Sequence, residues 1–212
     1  MFKMLKYLKK YAGFIAAIVV LLFLQAYCDL SLPGLTSNIV NVGIQQGGIE
    51  DAVPDRIREE ELNKLLLFME ETQKEEVSSS YTLEDGIYHL NKVGSAKRAS
   101  LEAAFAKPMA ALVTLGSNQE AADAIRQQWN LPADASITDV LTTLPQEQLA
   151  EVKAAVNDKL SGMQPSILSQ SAIEYVKGEY QAQGQDLGGM QQKYILMSGL
   201  KMLALALLIM VA

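Results

Sequence analysis

The chain has 212 residues, half of them hydrophobic, with one cysteine and a formal net charge of −6. That length makes one or two ordinary domains with a sizeable core, and the single Cys28 excludes a disulfide framework within one chain. Between Gln45 and Gln192 there are 12 basic and 23 acidic residues, a net charge of −11. Such a surface repels nucleic-acid phosphates and anionic lipid head groups, so this stretch is expected to bind neither.

Met1 to Tyr11 sets Met1, Met4, Leu5, Leu8 and Tyr11 at spacings of three and four, with Lys3, Lys6, Lys9 and Lys10 on the other faces. The pattern predicts a basic amphipathic helix over 1–11, lying on the cytoplasmic face of a membrane. Ala12 to Leu24 carries no charge, and the apolar character runs on to Leu32. About 20 residues at helical rise cross the hydrocarbon core, so residues 12–44 read as a first transmembrane helix with an outer extension to about Val42. Pro33 is tolerated there with a kink. Tyr27 stands before Cys28, where a lipoprotein signal needs a small residue. Cys28 itself reads as a packed small hydrophobe rather than a nucleophile or ligand.

Gln45-Gln46-Gly47-Gly48 ends this helix. The region 45–192 then reads as a helical, water-exposed insert. Asp55 to Glu76 places Ile57, Leu62, Leu65, Leu66 and Met69 on one stripe and predicts an amphipathic helix. Tyr81 to Val93, with Ile87, Tyr88 and Leu90 between Gly86 and Gly94, predicts a short strand or an extended loop. Further helices are expected over Ser95–Leu115, with a kink or break before Pro108, and over Gln119–Trp129, Ser136–Thr143 and Pro145–Leu160. The last of these has proline in its first turn and Gly162 as its stop. Pro165 opens a helix carrying Ile167, Leu168, Ile173, Val176 and Tyr180, followed by Gly184, Gly188 and Gly189 as either a linker or part of one long helix. Tyr194 to Ala212 is apolar on every face except at Lys201, and 193–212 reads as a second transmembrane helix. No basic anchor follows it, so an incomplete gene product or a fragment is expected.

The fold class expected from these elements is mainly α: two transmembrane helices flanking an all-helical extracytoplasmic domain, with at most a short strand. The sequence has no phosphate-binding G-x-x-x-x-G-K-[S/T], no G-x-S-x-G, and no cysteines or histidines paired at metal spacing. His89 is the only histidine and reads as a surface or cap residue. Glu59-Glu60-Glu61 and Glu70-Glu71 fit a solvated helix face better than a cation site. No catalytic residue, metal ligand or cofactor site is therefore expected in this chain. Gln25 and Asp29, four apart on one helical face, are the candidate functional residues, since an ionisable group near a membrane is costly unless it meets protein or water. The alternative is that Asp29 simply lies at the outer interface.

The run LQAYCDLSLPGLTSNIVNVGI, Leu24 to Ile44, followed by QQGGI, Gln45 to Ile49, resembles the first transmembrane helix of bacterial ABC transporters of the exporter type. It is most similar to half-transporters of the multidrug/lipid exporter group with a long insert between their first two helices. AIEYVKGEY, Ala172 to Tyr180, and KYILMSGLKML, Lys193 to Leu203, resemble the approach to and start of that group's second helix. The likeness covers both ends and the order of parts, and the insert only loosely.

What the resemblance implies is a six-helix transmembrane domain with a cytoplasmic ATPase domain, working as a homo- or heterodimer in the bacterial plasma membrane and using ATP and Mg²⁺. In that family Met1 to Tyr11 corresponds to the elbow helix. Four helices, the coupling loops, the phosphate loop and the signature motif have no counterpart here, so no ATP-binding residue carries over. The expected function is the N-terminal part of an ATP-driven exporter's transmembrane domain, contributing substrate-pathway wall and an outer domain. One alternative is a two-helix membrane-anchored sensor or binding protein. Another is a secreted helical binding protein with a cleaved signal and a membrane tail.

Overall fold

The computed structural model describes residues 11–117, 123, 126, 127, 137–142 and 144–211. The amphipathic segment 1–10 and nearly all of the helix expected over Gln119–Trp129 lie outside the described residues. The protein is mainly helical and divides into two units, one made of residues 1–48 with 188–212 and the other of Ile49–Leu187.

The first unit contains helix α1, Ala12–Asn38, and helix α8, Leu187–Val211. α1 absorbs Pro33 without ending. Proline has no N–H to give the carbonyl of Asp29, four residues back. Hydroxyls bond back to the neighbouring turns, Ser31 Oγ donating to the Tyr27 carbonyl at 2.7 Å and Thr36 Oγ1 to Leu32 at 3.0 Å. From Ile39 to Gln45 the chain continues in a wider π-helical turn. It stops at Gly47 and Gly48, whose φ angles of +69° and +86° are open to glycine at little cost. Ala12–Gln45 has 34 residues and holds an 18-residue stretch of mean hydropathy 2.1, and Leu187–Met210 has 24 residues and such a stretch of 1.7. Both are long and apolar enough to cross a membrane. Gly188 and Gly189 lie inside α8, so they do not form a linker.

The two helices meet where glycine permits. A Cβ at Gly43 would lie 2.9 Å from Ile195 Cγ1, and one at Gly48 2.9 Å from the Met190 carbonyl oxygen. The Gln191 side-chain amide reaches the Ile44 carbonyl at 3.4 Å. On α8 the covered and half-covered positions Ile195, Ser198, Met202, Leu205 and Ile209 recur at three and four residues, a single seam over 195–210, where the other positions are exposed.

The second unit is built on helix α4, Ser95–Ser117, packed against α7, Pro165–Ala182. Helices α2, Glu59–Leu67, α3, Glu71–Ser80, α5, Ile137–Val140, and α6, Gln146–Ser161, also touch α4. The core combines Leu101, Phe105, Met109 and Leu112 of α4 with Ile173, Val176 and Tyr180 of α7, Val152, Val156 and Leu160 of α6, and Leu62 and Leu65 of α2. Each large apolar side chain fully buried there contributes roughly 1.5–3 kcal/mol by leaving water. Of the kink or break expected before Pro108, a break does not occur: α4 runs on through the proline, whose neighbours Phe105, Met109, Ala110 and Ala111 are all buried.

The strand expected over Tyr81–Val93 is present, but the all-helical expectation is corrected by a full three-stranded antiparallel sheet of order β1-β3-β2, comprising β1, Arg56–Arg58, β2, Tyr81–Glu84, and β3, Ile87–Leu90. Ile57 faces Tyr88 in one pairing and Leu83 faces Tyr88 in the other. β2 and β3 form a hairpin through Asp85-Gly86, with φ of 50° and 78°, the two left-handed residues that a tight hairpin turn demands. The single helix expected over Asp55–Glu76 is replaced by β1, α2 and α3. Ile57 is fully buried as a strand residue. The stripe is interrupted at Phe68 and Met69, whose N–H groups close three-residue turns onto Leu65 and Leu66. Glu70 then caps α3 in a reciprocal box with Gln73.

Candidate functional site

Gln25 and Asp29 stand one turn apart on α1, both exposed, with Cys28 between them buried at 1% exposure. Thr36 lies two turns beyond Asp29 and is exposed on the same face, while Ser37 and Asn41 continue the polar surface, Asn41 Nδ2 donating to Ser37 Oγ at 3.2 Å. Sequence reasoning passed over these three. The signal was there: before Gln25 the helix is purely apolar, and after Pro33 it turns to small polar residues. Polar side chains of this kind are less costly beside water or polar protein than in hydrocarbon.

The other candidates from the sequence disperse. His89 sits mid-strand on β3, opposite Arg56 and Thr82. Among the described residues no group of three or more His, Cys, Asp or Glu side chains is placed to hold a metal ion. Glu60 is paired with Arg58 at 2.6 Å and Glu61 with Lys64 at 2.7 Å, so two of the three consecutive glutamates serve ion pairs of α2.

A polar constellation that periodicity does not reveal joins the two ends of the second unit. Glu179, near the C-terminus of α7, is 4% exposed. Its carboxylate accepts from the Arg58 backbone N–H at 2.9 Å, from Arg58 Nε and Nη2, and from Gln183 Nε2 at 2.7 Å. One residue on, Tyr180 Oη accepts the Asp55 N–H at 2.7 Å, and Gln183 also donates to the Arg56 carbonyl. On the other side Arg98 of α4 grips the same segment through Asp51, Asp55 and the Val53 carbonyl, while Tyr81 Oη donates to the Pro54 carbonyl at 2.7 Å. The carbonyls of Val53 and Pro54, the Asp55 and Arg58 N–H groups and the Asp51 carboxylate are thus all engaged, as a part-buried irregular segment requires.

The electrostatics follow from this burial. The hydrogen bonds to Glu179 and Asp51 raise the Arg58 and Arg98 guanidiniums above their ordinary pKa. Burial, reinforced by nearby carboxylates, raises the phenols of Tyr81 and Tyr175, and burial pushes Tyr180 up to about 12. Together they form a clamp of ion pairs and buried phenols that ties Asp51–Arg58 to α4 and to the end of α7. Comparison with protein-family models, with curated proteins and with solved structures gives no match.

Proposed function

We propose that this chain forms the first two membrane spans and the outer domain of an ATP-driven exporter of the ABC type. In this reading α1 and α8 cross a bacterial plasma membrane, the N-terminus is cytoplasmic and Ile49–Leu187 is extracytoplasmic. The observation that supports it is two helices long and apolar enough to span, each only 6% buried over its apolar window, that flank in the chain an acidic unit with its own core. The likeness of Leu24–Ile49 to an exporter's first span supports the family. Gln25 and Asp29, with Thr36 on the same face, line the substrate path, because an exposed carboxylate on a spanning helix is stable only beside water or polar protein. A second half-transporter, identical or different, supplies the facing wall. ATP and Mg²⁺ belong to an ATPase domain outside these 212 residues, which carry no phosphate-binding loop.

The test is capture of the natural gene product through an N-terminal tag, combined with protease treatment of intact cells. The tag is expected to be spared, the Ile49–Leu187 region digested, and the captured complex to hydrolyse ATP through a phosphate-loop domain encoded in the same frame or in a co-purifying subunit. A protected middle domain would reverse the topology. A complex with no ATPase of either origin would overturn the exporter reading.

A further inference from the structure

The second unit holds a cavity of about 350 Å³ between the N-terminus of α3, the middle of α4 and the C-terminal half of α6. That volume is at the lower end of the ~300–1,000 Å³ of small-molecule sites. Its α4 wall is small because Ala103, Ala104 and Ala111 supply it, and Phe68 and Leu160 add larger apolar surface. The polar groups around it are unequally committed. Glu70 and Gln73 already serve each other as the cap of α3. Lys107 and Asn157 have no hydrogen bond or ion pair among the described residues. Pro108 lines the cavity too, and having no N–H it deprives the carbonyl of Ala104, another lining residue, of its helical donor. The wall therefore presents an exposed cation and carboxamide, a carboxylate with one oxygen left beyond its cap, an under-used carbonyl, and apolar surface between them.

We infer that this cavity binds a short apolar peptide carrying a free amino and a free carboxyl end. Lys107 and the Asn157 amide take the carboxylate, while the Ala104 carbonyl and the outer oxygen of Glu70 take the ammonium. The apolar side chain lies over the alanines against Phe68 and Leu160, gaining roughly 25 cal/mol per Å² of apolar surface removed from water. Net charge selects the same class. The surrounding region carries −11, so a net anion is repelled from the mouth and a zwitterion is not. The inference rests on the second unit alone and is independent of the exporter reading.

The experiment is titration calorimetry of the full chain in detergent with leucyl-alanine as the probe. Saturable binding is expected. It should weaken at least tenfold in Lys107→Met and disappear in Ala103→Leu, which fills the α4 wall. Both positions are exposed, so both variants should melt with the parent, and N-acetyl-leucyl-alanine amide should not bind. Absence of saturable binding to the parent, unchanged affinity in Lys107→Met or in Ala103→Leu, or equal binding of the capped peptide would each overturn the proposal.

Discussion

Glu179 shows how one side chain can be read only in three dimensions. In the sequence it is one more acid of an acidic region; in the fold it is buried and accepts from Arg58 and Gln183. Removing one partner of a fully buried ion pair costs about 3–5 kcal/mol, but Arg58 is 34% exposed and can turn to water. Glu179→Ala is therefore expected to destabilise the second unit by about 2–3 kcal/mol, seen as a lower denaturation midpoint, with Glu179→Gln recovering part of the loss. A midpoint unchanged in Glu179→Ala would show that the clamp contributes nothing. The buried phenols set a pH limit. Tyr180 ionises near 12 in the fold against about 10 when unfolded, and Tyr81 and Tyr175 are raised as well. A raised acid stabilises the fold fully below its unfolded pKa and less as the pH climbs through the folded one, so stability should fall between about pH 10 and 12. In an alkaline titration, part of the tyrosinate absorbance is expected to appear only together with the loss of helical circular dichroism. Full ionisation of all eight tyrosines near pH 10 with the helices intact would contradict the burial of these three.

Elements obey their local signals wherever packing agrees with them. Gln146–Ser161 begins after Pro145 and ends at Gly162, and Pro165–Ala182 begins on its proline, because these cues act through the chain's own backbone. Asp55–Glu76 failed as one helix because helical and strand residues can occupy the same apolar stripe. What separated them was the pairing of Arg56–Arg58 with Ile87–Leu90, more than 25 residues on. The hairpin partner was legible in Asp85-Gly86, a two-residue turn signal between apolar runs. Between the two long apolar helices, Gly48 combines a φ of +86° with backbone of α8 where a Cβ would stand. Gly48→Ala is expected to cost about 1–3 kcal/mol in backbone strain and to loosen the contact between the two helices. In a Cys28→Ala background, cysteines at Ile44 and Gln191 should cross-link on mild oxidation, and more slowly once Gly48→Ala is added. An equal rate would mean that the contact does not depend on that glycine.

At the scale of the whole molecule, the two units differ in what stabilises them. The second has buried apolar contacts among its own helices and a clamp joining Asp51–Arg58 to the end of α7, so it should fold when expressed as Ile49–Leu187. The expected product is soluble and mainly helical, with a cooperative thermal transition; aggregation without the flanking helices would show that its core is incomplete. The sequence by itself determined the two long apolar helices, the acidic region between them and the mainly helical class, because composition and periodicity act over a few turns and need no partner. The polarity of α1 around Gln25 and Asp29 was legible for the same reason. Only the tertiary structure decided the three-stranded sheet, the unbroken helix through Pro108, the Glu179 and Arg98 clamp and the cavity beside Lys107. Each joins residues distant in the chain, and their energies arise from burial and partner geometry that no local pattern encodes.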